Sequence, residues 1–266
     1  MSICISKLFS PHKTLEYFKA VSNEAVFFLF TRMKPQKKIG ILGGAGPLAT
    51  AKFFSDLIGI CQNKYKAEQD TDFPIIYLYN MPMDGFDETG FSDPILVKEQ
   101  LIYGVKKLES WGADFIVLPC NTVHFFINEM RESILIPIIS IIESTIKTVE
   151  SSGYKKIGVL SSSSTRILGL YKKPFNSKGF DTFVINKKDQ KKTDSVVLAA
   201  MAGVQGKKEI NILKNIIQKM VSWGAQGVVL GCTELPLAIS KKDTELPLFN
   251  TINILAEYAV DEAYKK

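Results

Sequence analysis

A segment that occurs twice constrains this chain more than any other feature. Trp111-Gly112-Ala113 runs on to Val117-Leu118 and then Cys120, and Trp223-Gly224-Ala225 runs on to Val229-Leu230 and then Cys232. The sequence has 2 tryptophans, and each stands nine residues before a cysteine. Agreement of Trp, Gly, Ala, Val, Leu and Cys in one register points to an internal duplication. Two alike halves then pack about a pseudo-twofold axis, and equivalent strand ends can face each other.

The surrounding pattern says what each half is made of. Ile39-Gly40-Ile41-Leu42 reads as a buried strand, ended by Gly43-Gly44-Ala45-Gly46, and Pro47 suits the first turn of a helix reaching about residue 63. Residues 74–80 form the next strand and residues 81–93, rich in Gly, Pro and Asp, a loop. A helix over residues 94–111, a strand over 114–119, a helix over 122–133 and a short strand over 137–140 follow. The same grammar restarts at Lys156-Ile157-Gly158-Val159-Leu160, with the run Ser161 to Ser164 in place of the glycine loop, then helix, strand and helix to about Trp223 and a strand at Gly227-Val228-Val229-Leu230. Strands alternating with helices predict an α/β fold with mostly parallel sheets built from right-handed crossovers.

At 266 residues the chain can bury one large core or two smaller ones. The net charge of +6 comes mostly from scattered lysines, with no basic run interleaved with aromatics and no zinc-finger spacing, so nucleic acid is not an expected partner. Apolar runs fall short of the about 20 residues of a membrane span. The 4 cysteines are too widely spaced for a compact disulfide framework and read as thiols in a reducing cytoplasm. Residues 1–33 hold a short apolar patch, Ala25 to Phe30, too brief for a secretory signal, and read as a leader ahead of the first strand.

Ligands of open parallel sheets bind beyond the carboxyl ends of the strands. Cys120 and Cys232 each lie at such an end, followed by Asn121-Thr122 and Thr233-Glu234, which can open a helix. Free N–H groups there favour the thiolate and can hold a carboxylate. Two thiols on opposite sides of one carbon can invert it: one removes a proton from one face and the other supplies a proton to the opposite face. His124, one helical turn beyond Cys120, reads either as a proton partner or as a hydrogen-bonded structural residue. Glu234 reads as an orienter of the Cys232 thiol, a ligand for a substrate ammonium, or a helix first-turn acid. Cys4 and Cys61 lack this context and read as structural.

At this point the residues resemble the aspartate/glutamate racemase family, in its aspartate branch. The resemblance rests on Gly43-Gly44-Ala45-Gly46-Pro47-Leu48-Ala49-Thr50, on Pro119-Cys120-Asn121-Thr122-Val123-His124 and on Gly231-Cys232-Thr233-Glu234-Leu235-Pro236, in order and spacing over residues 38–264. It implies two pseudo-symmetric Rossmann-like domains, residues 34–142 with 250–266 and residues 143–249, with the active site in the cleft between them. It also implies racemisation without pyridoxal phosphate or another cofactor, and a homodimer. Cys120 and Cys232 would carry the protons. Asn80, Asn121, Thr122, Thr165 and Thr233, with Gly44 of the glycine loop, would bind the amino-acid substrate. Aspartate or glutamate is the default substrate, yet the family's usual side-chain-gripping residues differ here. Residues 81–93 contain no arginine or lysine but carry Asp84, Asp87, Glu88 and Asp93; Gln205 stands where relatives tend to have lysine; Ala45 replaces a usual methionine. An acidic loop facing the pocket would repel a dicarboxylic side chain and leave a neutral or basic amino acid, unless Arg166 compensates.

Three other readings stay open. Gly44-Ala45-Gly46-Pro47-Leu48-Ala49 fits a loose dinucleotide fingerprint, which would make the chain an NAD-dependent oxidoreductase, although Asn80 stands where that fingerprint expects an acid. Cys120, His124 and Cys232 are zinc-ligand types without a finger's spacing. A non-catalytic amino-acid-binding relative is the third.

Overall fold

The computed structural model describes residues 33–204 and 206–266. The expected leader, with Cys4 and the 25–30 patch, lies outside these except for Met33, and Gln205 lies outside as well.

The first sheet is built from β1 (Ile39–Gly43), β2 (Ile76–Asn80), β3 (Phe115–Val117) and β4 (Ile138–Ile139), in the order β2-β1-β3-β4, all parallel. The second repeats that order as β6-β5-β7-β8, from β5 (Lys156–Leu160), β6 (Asp181–Val184), β7 (Gly227–Leu230) and β8 (Leu248–Asn250). Interior strands β1, β3 and β7 are buried along their whole length, as the near-continuous apolar runs of a parallel sheet covered on both faces require. The connecting helices are α1 (Pro47–Tyr65), α2 (Pro94–Ser110), α3 (Ile127–Glu132), α4 (Ile141–Ser151), α5 (Ser163–Leu168), α6 (Lys172–Ser177), α7 (Lys187–Met201), α8 (Lys207–Ser222), α9 (Leu235–Ala238) and α10 (Thr251–Tyr264).

Side-chain alternation sorts each strand between two cores. Ile39 and Ile41 of β1 and Ile157 and Val159 of β5 join one apolar cluster with residues of α1, α4 and α10, so these helices form a central layer shared by the two sheets. Leu42 turns to the outer face of the first sheet and meets Val97, Leu101 and Leu108 of α2, while Leu160 meets Val196, Leu213 and Ile217 of α7 and α8 on the outer face of the second. Helix α10 packs on both α1 and α4, and the N–H groups of Gln36 and Lys37 donate to the carbonyl of Ala263 near its end.

The repeated Trp-Gly-Ala is a helix stop. Trp111 caps α2 and Trp223 caps α8. Gly112 (φ 88°) and Gly224 (φ 85°) then adopt the left-handed conformation that costs glycine least. Ala113 N–H donates to Leu108 O, and Ala225 N–H to Met220 O, closing the same cap in both halves. Each cap aims the chain into a strand that ends shortly before a cysteine.

Local expectations change, among them the single helix expected ahead of Trp223, which is two, α7 and α8. Residues 122–133 are not one helix: a tight three-residue-per-turn segment, Thr122–Phe126, precedes α3. The tighter winding lets the N–H groups of Thr122 and Val123 turn back on the Cys120 sulfur. Between β5 and β6 the helix is split into α5 and α6 by Gly169 in the left-handed region (φ 71°).

Candidate active site

From β1 the chain crosses to β2 on one side, then returns to place β3 on the other side of β1. The carboxyl ends of β1 and β3 therefore bound a switch point, where an open sheet leaves a crevice. β5 and β7 make the equivalent point in the second half. The two switch points open on one cleft of about 190 Å³. A cleft of this size suits a single small metabolite.

Gly44 and Gly46, with φ of 104° and 93°, carry the loop from β1 into α1. Thr50 clasps this loop: its Oγ1 accepts the Gly44 N–H at 3.2 Å and donates to Gly46 O at 3.0 Å. A Cβ on Gly44 would fall 1.9 Å from Met81 O, and one on Gly46 2.4 Å from Glu234 Oε1. Glycine is thus needed at both positions, and the second brings the loop against an acid from the other half.

Cys120, Asn121 and Thr122 line the cleft from the first half, and Ser162, Thr165, Cys232, Thr233 and Glu234 from the second. The halves touch through hydroxyls, with Thr122 Oγ1 3.0 Å from Thr165 Oγ1. Asn121 is buried and held on both sides: its Oδ1 accepts from Tyr171 Oη at 2.5 Å and its Nδ2 donates to Thr251 Oγ1 at 3.3 Å. Cys232 Sγ donates to Glu234 Oε2 at 3.0 Å, and Thr233 Oγ1 donates to the same oxygen at 3.1 Å.

Burial dominates the electrostatics. The N–H groups of Thr122 and Val123 favour a Cys120 thiolate, as the sequence leads one to expect, but desolvation outweighs them and, with Glu234 nearby, pushes the thiol up to about 12. Cys232 is raised well above the usual thiol value by burial, by the charge and hydrogen bond of Glu234, and by Cys120 itself. The expectation of lowered thiol pKa values is therefore corrected: both thiols rest protonated at neutral pH. Burial also raises Glu234, and Glu88 adds to the effect.

The remaining expected residues fall as follows. His124 is buried outside the cleft. Its Nδ1 lies 2.8 Å from Cys120 O and its Nε2 accepts the Ile141 N–H at 3.2 Å, so it anchors the backbone beneath Cys120. With both ring nitrogens taken, it is not placed to be the third ligand of a zinc site with the two cysteines. Asn80 is not part of the cleft: it ends the edge strand β2 opposite Gly43, exposed, because strand alternation turns Met81 inward and Asn80 outward. Arg166 lines a separate small pocket with Lys172 and is not among the cleft residues, so it does not offset the acidic loop. Cys61 is fully buried in the central core. The Glu234 carboxylate beside Gly46 occupies the approach a dinucleotide pyrophosphate would need.

Sequence reasoning missed Tyr171 and Thr251, which fix Asn121 from distant elements and carry no local signal. It also left unassigned Met83 and Phe86 of the 81–93 loop and Val197 and Met201 of α7, which form the apolar wall. Among the described residues, no group of three or more His, Cys, Asp or Glu side chains could hold a metal ion, and no helix is long and apolar enough to cross a membrane.

Residues 42–259 match the family model described as Asp/Glu/Hydantoin racemase. The chain belongs to that family, and so to the isomerases. Among curated relatives, the broad specificity amino-acid racemase RacX of Bacillus subtilis (strain 168) is 30% identical over 222 residues, 84% of this chain and 96% of that protein. An aspartate racemase homologue from Pyrococcus horikoshii OT3 superposes with a TM-score of 0.73 at 28% identity, covering 86% of this chain and 100% of the other. Picrophilus torridus aspartate racemase gives 0.72 at 26% identity, over 87% and 96%. The fold is accordingly the two-domain, pseudo-symmetric Rossmann-like arrangement of racemase structures.

Proposed function

We propose that this protein inverts the α-carbon of an amino acid without a cofactor, Cys120 and Cys232 alternating as base and acid. The observation that carries the reading is the meeting of both thiols in one cleft at equivalent switch points of a duplicated fold. Hydroxyls of Thr122, Thr165 and Thr233 hold the α-carboxylate and stabilise the carbanion as it forms. Asn121, fixed by Tyr171 and Thr251, sets the floor of this subsite.

Because both thiols rest protonated, one must lose its proton before it can act. Glu234 Oε2 lies on the Cys232 sulfur and accepts that proton. The Cys232 thiolate then takes the α-proton from one face of the substrate, and the Cys120 thiol gives its proton to the other. Cys120 is left as the thiolate that starts the reverse reaction. His124 is a positioning residue for Cys120. The domain division 34–142 with 250–266 and 143–249 is supported by the packing of α10 on α1. A cytoplasmic homodimer with residues 1–33 as a leader completes the proposal.

The test is substitution of each cysteine. Cys120→Ser and Cys232→Ser are each expected to lose racemisation by about 10²–10⁴-fold, measured by chiral chromatography. In D₂O each is expected to exchange the α-proton of one enantiomer only, the two variants choosing opposite enantiomers. Full racemisation by either variant would overturn the two-thiol mechanism. Binding of amino acids by the unaltered protein with no α-proton exchange would mark a non-catalytic relative.

A further inference from the structure

The charge of the cleft points to its substrate class, on the reading that the protein is an amino-acid racemase. The loop over residues 81–93 crosses the cleft and is fastened to the second half. Ser164 Oγ donates to Asp87 O at 2.7 Å, and Ser164 N–H to Glu88 O at 2.9 Å. This brings Asp87 and Glu88 to the cleft wall, across from Glu234. Among the described residues no lysine or arginine lines the cleft.

The acids differ in what they already bind. Asp87 Oδ1 is occupied by Thr89 Oγ1 and by the N–H groups of Thr89 and Gly90, contacts that hold its carboxyl below the usual range. Glu234 serves Cys232 and Thr233. The Glu88 carboxylate, half-buried, has no hydrogen-bond or ion-pair partner among the described residues. Beside it, Met83 and Phe86 of the loop and Val197 and Met201 of α7 form an apolar wall.

We propose that the cleft selects amino acids with a cationic side chain, such as lysine, ornithine or arginine, and that Glu88 is the residue that recognises the cation. A methylene stem lies along the four apolar residues while its charged head reaches the acids. A second carboxylate, as in aspartate or glutamate, would be brought into a field of like charge with no basic residue to receive it, and near a protein surface such pairs interact strongly enough to reverse preference. The same loop that spans the cleft therefore sets specificity, and the default dicarboxylic substrate is replaced by its charge opposite.

The experiment is a panel of L-lysine, L-ornithine, L-arginine, L-leucine, L-aspartate and L-glutamate with the full-length protein in D₂O, α-proton exchange followed by NMR. Glu88→Gln is run in parallel. Expected are kcat/KM values for lysine at least about a hundredfold above those for glutamate, and a lysine-to-leucine ratio that falls about tenfold in Glu88→Gln, chiefly through KM. Exchange with aspartate or glutamate in preference to lysine overturns the cationic assignment while leaving the racemase reading intact. A lysine-to-leucine ratio unmoved by Glu88→Gln overturns the role of Glu88. No exchange with any member overturns the racemase reading, and the substrate assignment with it.

Discussion

Acidification from pH 7 to pH 4 should remove about 3 kcal/mol of stability through His124 alone. The imidazole is 3% exposed, and its Nε2 must stay unprotonated to accept the Ile141 N–H. A proton there would set a donor against a donor in a buried site. Burial first, and the nearby Arg131 cation, lower its pKa from 6.5 to about 4, while the bond to the Cys120 carbonyl works in the other direction. Between these values the unfolded chain binds a proton that the folded protein refuses. The contribution is therefore whole above about pH 6.5, shrinks as pH falls towards 4, and is gone below it. About two and a half units at 1.36 kcal/mol each gives the figure quoted. Urea unfolding of the unaltered protein and of His124→Asn, from pH 7.5 to 4.5, isolates the term from other titrating groups. The asparagine amide can still donate to Cys120 O but leaves the Ile141 N–H unpaired, so the variant should be about 1–3 kcal/mol less stable at pH 7.5. That gap should close or reverse by pH 4.5. A gap that stays constant across the range would mean that His124 is not the buried neutral base described.

Two further outcomes follow from the site. Iodoacetamide should label Cys120 and Cys232 more slowly than free cysteine at pH 7.5 and about tenfold faster for each pH unit towards pH 10, read by peptide mass mapping; a rate already level below pH 8 would reveal a resident thiolate and contradict the upward shifts at both sulfurs. Gly44→Ala drives a Cβ into backbone at Met81 and should cost at least about 3 kcal/mol in thermal unfolding, whereas Gly46→Ala meets only the end of the Glu234 side chain and should cost about 1–2 kcal/mol but lower kcat by far more than its loss of stability explains. Normal turnover in Gly46→Ala would remove Glu234 from the chemistry.

The elements that the sequence announces are those whose causes are local. The apolar runs of β1, β3, β5 and β7 are short and bounded by turn residues, which favours buried strands, and Trp-Gly-Ala closes the helix ahead of each cysteine. Duplication then places Cys120 and Cys232 at matching strand ends without further information. What escapes is decided by partners far along the chain. Tyr171 reaches Asn121 across the two halves, and nothing near residue 171 hints at it. His124 could be read two ways until Ile141 supplied an N–H for its second nitrogen. The upward shift of the thiols escapes the sequence because the N–H groups behind Cys120 are local and visible, while the closure of the cleft that desolvates the sulfur is a property of both halves together. Asn80 escapes for a similar reason: alternation turns it away from Met81's side, but that this side is open to solvent follows from the strand being the sheet edge, which residues 74–80 do not determine.

Helix α10 has a consequence for how the molecule is made. It completes the layer that α1 and α4 begin between the two sheets, yet the ribosome delivers it after every other described element. Until it emerges, only α1 and α4 cover the inner faces of the sheets, the central core lacks its third helix, and neither half can finish collapsing by itself. Loss of this one helix should therefore leave two incomplete half-folds rather than one intact half and one damaged one.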